Sequence, residues 1–172
     1  MMVVWWRRTS GSQLAQGDLL PECQLPLFPG DWDRGQPTEE EVLSARLIVM
    51  TQSCDLVNRK AEHVALCPIH TLGEFESANP SFAKKGAWEA VRKGRMEGLH
   101  LLASPESPDN NRSAFVVNFG QIISLPLDYL EQYASSVGDR WRLESPFLEH
   151  FSQAFARFFM RVGLPAGLEP YK

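Results

Sequence analysis

The sequence predicts a mainly β, α+β domain that carries a helical insertion and a C-terminal amphipathic helix. Short apolar runs separated by turn residues fill most of the chain, one basic segment of helical composition lies between two of them, and a long aromatic stripe at helical spacing sits near the end. A chain of 172 residues with 44% apolar content can bury one sizeable core. Nothing divides it cleanly, so residues 1–172 are read as a single domain.

Taken in order, Val3 to Arg7 reads as a first strand, and Gly17 to Leu20 open a second after a polar Gly/Ser/Gln stretch. Pro21 to Gln36, with its prolines and glycines, reads as a loop, and Thr38 followed by Glu39, Glu40 and Glu41 is placed to cap a short acidic helical turn. Leu47 to Met50 and His63 to Ile69 are the two apolar runs of a β-hairpin, with Asp55 and Asn58 as turn formers between them. Thr51, Gln52, Ser53, Cys54 and Asp55 then stand where a buried strand leaves the core, a position at which binding groups are held with little entropy cost.

Pro80 to Arg95 has helical composition, with Trp88 and Val91 on one side, and Leu99 to Ala103 returns to strand. Ser113 to Phe119 and Gln121 to Leu125 are strand runs joined through a bulge or bend at Gly120, and Leu127 to Tyr133 is a short helix. Ser145 as N-cap and Pro146 at the first helical position open a last helix over 145–163. Its apolar stripe holds Phe147, Leu148, Phe151, Phe155, Phe158, Phe159 and Val162, and its other face holds His150, Gln153, Arg157 and Arg161. The stripe is expected to cover the core, with a homodimer interface as the alternative.

The opening MMVVWWRR lacks a long apolar core, so it reads as neither a secretory signal nor a membrane span, and a cytoplasmic location is expected. Cys23, Cys54 and Cys67 are too few for a disulfide scaffold and read as thiols. A net charge of −4 argues against a generic polyanion binder, but the charge is segregated. Asp18 to Glu41 is acidic, whereas Lys84, Lys85, Arg92, Lys93 and Arg95 form a basic cluster around Trp88. That cluster suits phosphate contacts with base stacking; its plainer reading is a solvated face with one aromatic docked inward.

Cys54, His63, Cys67 and His70 include zinc-ligand atom types, but their spacing is not that of a zinc knuckle or ribbon. Alternation along an extended strand also points His70 away from the face of His63 and Cys67. No metal or cofactor is expected. Asp55 beside Cys54 disfavours a thiolate, which leaves a catalytic thiol with His63 or His70 as base as a minor reading.

The phrases GDLL, RLIVMTQS, VALCPIH and AFVVNFGQIISLPLDYL, in that order, resemble the strand sequence of the MazF/PemK toxins. The resemblance covers residues 17–133, with 72–98 as an added insertion. TQSCDL and FARFFMRVGLP also resemble a group of uncharacterised bacterial proteins, a likeness that brings no activity with it. What the first resemblance implies is an SH3-like β-barrel that cleaves single-stranded RNA without a metal, by attack of the ribose 2′-OH on the adjacent phosphate. It also implies dimerisation and an antitoxin-like protein partner.

In that family an Arg opens the apolar strand and a Ser or Thr follows a Pro-Ile pair. Arg46 matches the Arg; His70 follows Pro68 and Ile69, with Thr71 next; Leu47 stands where the family has Pro. A guanidinium suits the charge of a phosphorane-like transition state, and a histidine can move a proton near neutral pH. Arg46, His70 and Thr71 are therefore the catalytic candidates, expected in one groove with Ser53 and Asp55 in support. The plainer readings pair Arg46 with Glu39 to Glu41 and make His70 a loop cap. The alternative from another class is a non-catalytic module for a protein or ligand, with Gln52 to Asp55 as a rigid lip and Lys84, Lys85, Arg92 and Lys93 as the partner surface.

Overall fold

The computed structural model describes residues 4–27 and 41–160. The apolar hairpin is its centre: β3 (Glu41–Val49) and β4 (His63–Thr71) pair antiparallel, with Leu47 opposite Pro68 and Val49 opposite Leu66. Leu47 to Met50 are all at most 2% exposed, because both faces of the sheet are covered here. A strand buried on both sides reads as a continuous apolar run, which is what the sequence displays.

The other strands add to that pair. β2 (Leu19–Leu27) lies outside β3, β5 (Leu99–Leu102) and β6 (Phe115–Asn118) extend the opposite side, and β7 (Ile123–Pro126) also pairs with β4. The order is β2-β3-β4-β6-β5, and among the described residues this six-stranded ladder does not close on itself. β6 and β7 lie along the same side of β4, opposite Ile69–Thr71 and His63–Leu66 respectively, so they are one strand path broken at the bend expected near Gly120. A separate two-stranded ribbon joins β1 (Trp6–Thr9) to β8 (Arg140–Leu143). With five α-helices among the described residues, the structure is mixed α and β.

Several expected boundaries move. The first strand starts at Trp6 rather than Val3, which lies outside the described residues. The loop expected from Pro21 is strand as far as Leu27; β2 pairs on one side only, and an edge strand is where a sheet tolerates proline. A register shift between Leu20 and Cys23, with Glu22 at φ 50°, accommodates Pro21. The acidic turn expected at Thr38 to Glu41 falls outside the described residues except for Glu41, which opens β3.

The polar turn of the hairpin contains a short helix, α1 (Ser53–Val57). The insertion is not one helix: α2 (Leu72–Ala78), a 3₁₀ turn (Pro80–Ala83) and α3 (Ala87–Arg92) follow each other. Pro80 cannot continue α2, and Gly86 at φ 91° redirects the chain into α3. Trp88 docks inward against Phe75 and Phe82 and donates its Nε1–H to Glu76 Oε1 at 2.8 Å, the plainer reading of this segment. The helix expected to end at Tyr133 runs on to Val137 as α4 (Leu127–Val137). α5 (Phe147–Phe159) has Pro146 in the capping position without a side-chain cap, so Ser145 does not play that role; 161–163 lie outside the described residues.

Two apolar layers sandwich the main sheet. Leu56 of α1 and Leu127, Leu130 and Ala134 of α4 cover one face over Leu47, Val49, Val64 and Leu66. Phe151 of α5, Trp6 and Leu143 of the ribbon cover the other, over Ile48, Cys67, Ile69 and Val117. The aromatic stripe of α5 is thus core at Phe151, whereas Phe159 is 53% exposed. Desolvation pushes the Cys67 thiol up to about 12, as expected for a cysteine that only packs.

His100 of β5 stacks on Phe119 and tilts against Phe151. Burial, and secondarily His150, pushes its pKa down to about 4 from an ordinary 6.5. Between those values the unfolded chain takes up a proton that the folded chain refuses, so stability is full above pH 6.5 and declines as pH falls toward about 4. Urea unfolding should show this loss, on the order of 1–3 kcal/mol, in the wild type and not in His100→Gln. An equal acid-induced loss in both proteins would contradict it.

Candidate functional site

Arg46 and Thr71 are brought together. Both line a cavity of about 720 Å³ between the β1/β8 ribbon and the main sheet, alongside Arg8, Arg112, Arg140 and Trp141. On β3, Arg46 shares the face of Ile48; on β4, Thr71 shares the face of Ile69 and pairs with Phe115. Ser104, Ser107 and Ser113 add hydroxyls, and Glu106 and Asp139 are the carboxylates in the lining.

The polar groups of the cavity differ in how firmly they are held. Thr71 caps α2 in a reciprocal box: its Oγ1 accepts from the Glu74 amide at 3.2 Å while its own amide donates to Glu74 Oε2 at 2.6 Å. That amide bond is the main cause that holds the Glu74 carboxyl below its ordinary range, with Arg46 a smaller one. Arg46 Nη1 stands 3.5 Å from Glu74 Oε2, and this buried nitrogen makes no hydrogen bond. Its guanidinium carbon lies 5.4 Å from the centre of the Phe115 ring. The Arg46 side chain as a whole is 32% exposed and forms part of the cavity wall. Arg8 lies over Trp141 at 4.1 Å, and Arg112 pairs with Glu76 at 3.2 Å.

Arg140 and Arg142 form the fixed part. Asp18, fully buried, accepts Arg140 Nε at 2.9 Å and Arg142 Nη2 at 2.8 Å on Oδ2, and Arg142 Nε on Oδ1. Arg140 also donates to the Gly11 and Gln13 carbonyls at 2.7 and 2.6 Å. The adjoining Gly17, at φ 83°, lies so close to β8 that a Cβ there would stand 2.9 Å from Leu143 Cβ. The Gly-Asp pair is thus the joint between ribbon and sheet: the glycine permits the approach and the aspartate holds it.

The other candidate residues fall elsewhere. His70 is opposite Val116, on the other face of β4 from Thr71, and its ring faces Phe75 of α2 at 6.1 Å. The expectation of Arg46 and His70 on one groove wall is corrected by strand alternation, since adjacent residues of an extended strand point to opposite faces. Ser53 Oγ accepts the Gln16 amide at 3.0 Å, which ties α1 to the 11–17 loop. Cys54 is exposed, with its thiol near Gln52 Oε1 and Asp55 Oδ1 at 3.7 and 3.8 Å. None of Gln52 to Asp55 lines the arginine cavity. Lys84 and Lys85 are exposed on the insertion, and Arg92 and Lys93 pair with Glu89 at 2.7 and 3.0 Å beside a second cavity.

Sequence reading missed Asp18, Arg8, Arg112, Arg140, Arg142 and Trp141. The available signals were the Trp-Arg repetitions at 5–8 and 140–142, which mark two short strands with apolar and cationic residues side by side. Among the described residues, no three His, Cys, Asp or Glu side chains group to hold a metal ion, and no helix is long and apolar enough to cross a membrane. No protein-family model, curated protein or solved structure matches the chain.

Removing the Asp18 carboxylate strands a buried guanidinium. Asp18→Ala should lower the unfolding free energy by about 3–5 kcal/mol, and Arg140→Met in the same background should restore part of it. Urea denaturation of the three proteins checks this, and a loss below about 1 kcal/mol for Asp18→Ala would contradict a structural role for the cluster.

Proposed function

We propose that the protein is a MazF/PemK-like module of SH3-like barrel type that binds single-stranded RNA in the arginine-lined cavity. The observation that carries this reading is the convergence of Arg46, which matches the family's Arg, and Thr71, one residue beyond the motif position that His70 occupies, on one cavity with Arg8 and Arg112. Three of these are guanidinium groups suited to phosphate oxygens, and Arg8, lying over the Trp141 ring, presents a flat cationic surface against which a base can stack. Against a chain of net charge −4, this concentration of cations is a local reversal of sign.

Metal-independent cleavage is the second reading, and the proximity of Arg46 and Thr71 favours it. The guanidinium would stabilise charge on the scissile phosphate and the Thr71 hydroxyl would donate a hydrogen bond to it. With His70 on the opposite face, the acid–base groups available at the cavity are the carboxylates Glu106 and Asp139. Binding of RNA demands less of this arrangement than cleaving it, so binding is the primary reading.

Fluorescence anisotropy with a mixed-sequence single-stranded RNA should give binding that weakens with added salt. Arg46→Ala and Arg112→Ala should each weaken it about 10-fold and flatten the salt dependence by nearly one ion. Both variants should stay folded, since Arg46 has one distant ionic partner and the Arg112 pair is largely exposed. The same RNA incubated in EDTA tests the second reading: cleavage by wild type that is lost in Arg46→Ala establishes it, and intact RNA rejects it. Absence of RNA binding by folded wild type at low salt would overturn both.

A further inference from the structure

A second cavity, of about 610 Å³, lies between the end of the insertion and α5 and shares no lining residue with the arginine cavity. One wall is the polar face of α5, where His150, Gln153 and Arg157 follow one another at helical spacing. The facing wall is the C-terminal end of α3 with Arg92 and Lys93, and the floor holds His100, Phe119 and Phe158. Gly98, at φ 88°, lets this floor approach α5: a Cβ there would stand 3.0 Å from Phe158. Two segments far apart in the sequence, the basic insertion and the polar side of the last helix, therefore face each other across one concave site.

Its chemistry is specific in kind. Arg92 and Lys93 are already offset by Glu89, and Glu97 is the carboxylate in the lining. Arg157 and His150 have no ion pair or hydrogen bond of their side chains among the described residues and line the cavity, so a guanidinium and imidazole N–H groups are free to donate to an anionic ligand. Beside them, His100 is held neutral at pH 7 and stacked on Phe119, ring centres 6.0 Å apart and 24° between planes, which gives the cavity a flat aromatic floor. Cations along one side, an aromatic floor and a volume in the range of small-molecule sites fit a doubly charged phosphate joined to a planar ring.

We propose that this cavity binds a phosphomonoester carrying a flat ring, the chemistry of a mononucleotide or of the 5′-phosphorylated end of an RNA. The phosphate lies against Arg157 and His150, and the ring lies over His100 and Phe158. The site is independent of the arginine cavity and stands whether or not RNA binds there.

Isothermal titration of the full chain with AMP, adenosine and inorganic phosphate tests it. AMP should bind with a Kd below about 1 mM, with adenosine at least about 10-fold weaker. Arg157→Ala and His150→Ala should each weaken AMP about 10-fold, whereas Lys60→Ala, the same loss of charge as Arg157→Ala but on an exposed loop, should leave it unchanged. Both α5 positions are exposed, so circular dichroism should report native folding of these variants. Short RNAs with a 5′-phosphate and a 5′-hydroxyl separate the two sources. A preference for the phosphorylated RNA that disappears in Arg157→Ala identifies an RNA end, and AMP binding without that preference identifies a free mononucleotide. Lack of binding by both AMP and phosphorylated RNA, or binding indifferent to Arg157→Ala and His150→Ala, would overturn the proposal and leave the reading of the arginine cavity untouched.

Discussion

One buried carboxylate governs how this molecule is assembled. Asp18 holds Arg140 and Arg142, and Arg140 in turn gathers the carbonyls of Gly11 and Gln13. A guanidinium with no exposed side-chain surface is tolerable only when its donors are satisfied and its charge is matched. The carbonyl of the same aspartate accepts the Val49 backbone N–H of β3 and the residue sits in a bridge to Arg142, next to a glycine whose missing Cβ brings the ribbon against the sheet. If the ribbon sat anywhere else, Arg140 would be buried without a counter-charge, so the cluster specifies the docking geometry as well as stabilising it.

The arginine cavity depends on that docking. Arg8 and Trp141 belong to the ribbon, Arg46 and Thr71 to the main sheet, and their cavity exists because the two pieces are held apart at a fixed separation. Arg140 contributes to the wall while its charge is matched by Asp18, whereas Arg46 retains a buried nitrogen without a hydrogen bond. A fully buried, firmly paired arginine shapes the site, whereas Arg46, with 32% of its side chain exposed and one ionic contact at 3.5 Å, is the more available of the two; the proposed binding role therefore falls on Arg46.

The central strands were legible in the sequence because their signal is local. Leu47 to Met50 is an apolar run since both sheet faces are covered, and the bend at Gly120 interrupts a strand path along β4. Elements whose stability comes from distant partners were not legible. β8 is four residues with two arginines, and nothing in Arg140 to Leu143 announces that both charges are met by Asp18, more than a hundred residues earlier. β2 carries prolines that ordinarily signal a loop and are harmless on a strand with one neighbour. At the site, Arg46 was found by position in a motif, whereas the motif position after Pro68 and Ile69 falls on His70, which lies on the other face, and the hydroxyl at the cavity is that of its neighbour Thr71, because a shift of one residue reverses the direction of a strand side chain.

The most direct test of the arginine cavity as the binding site uses the tryptophan indoles as fixed reporters. Trp141 lines the cavity, while Trp6 is buried and donates its indole N–H to the Ala103 carbonyl at 2.8 Å. Titration of ¹⁵N-labelled protein with single-stranded RNA should move the Trp141 indole resonance and leave that of Trp6 in place. An unchanged Trp141 signal at RNA concentrations that shift resonances elsewhere would contradict the account, because the ligand would then be held by another surface.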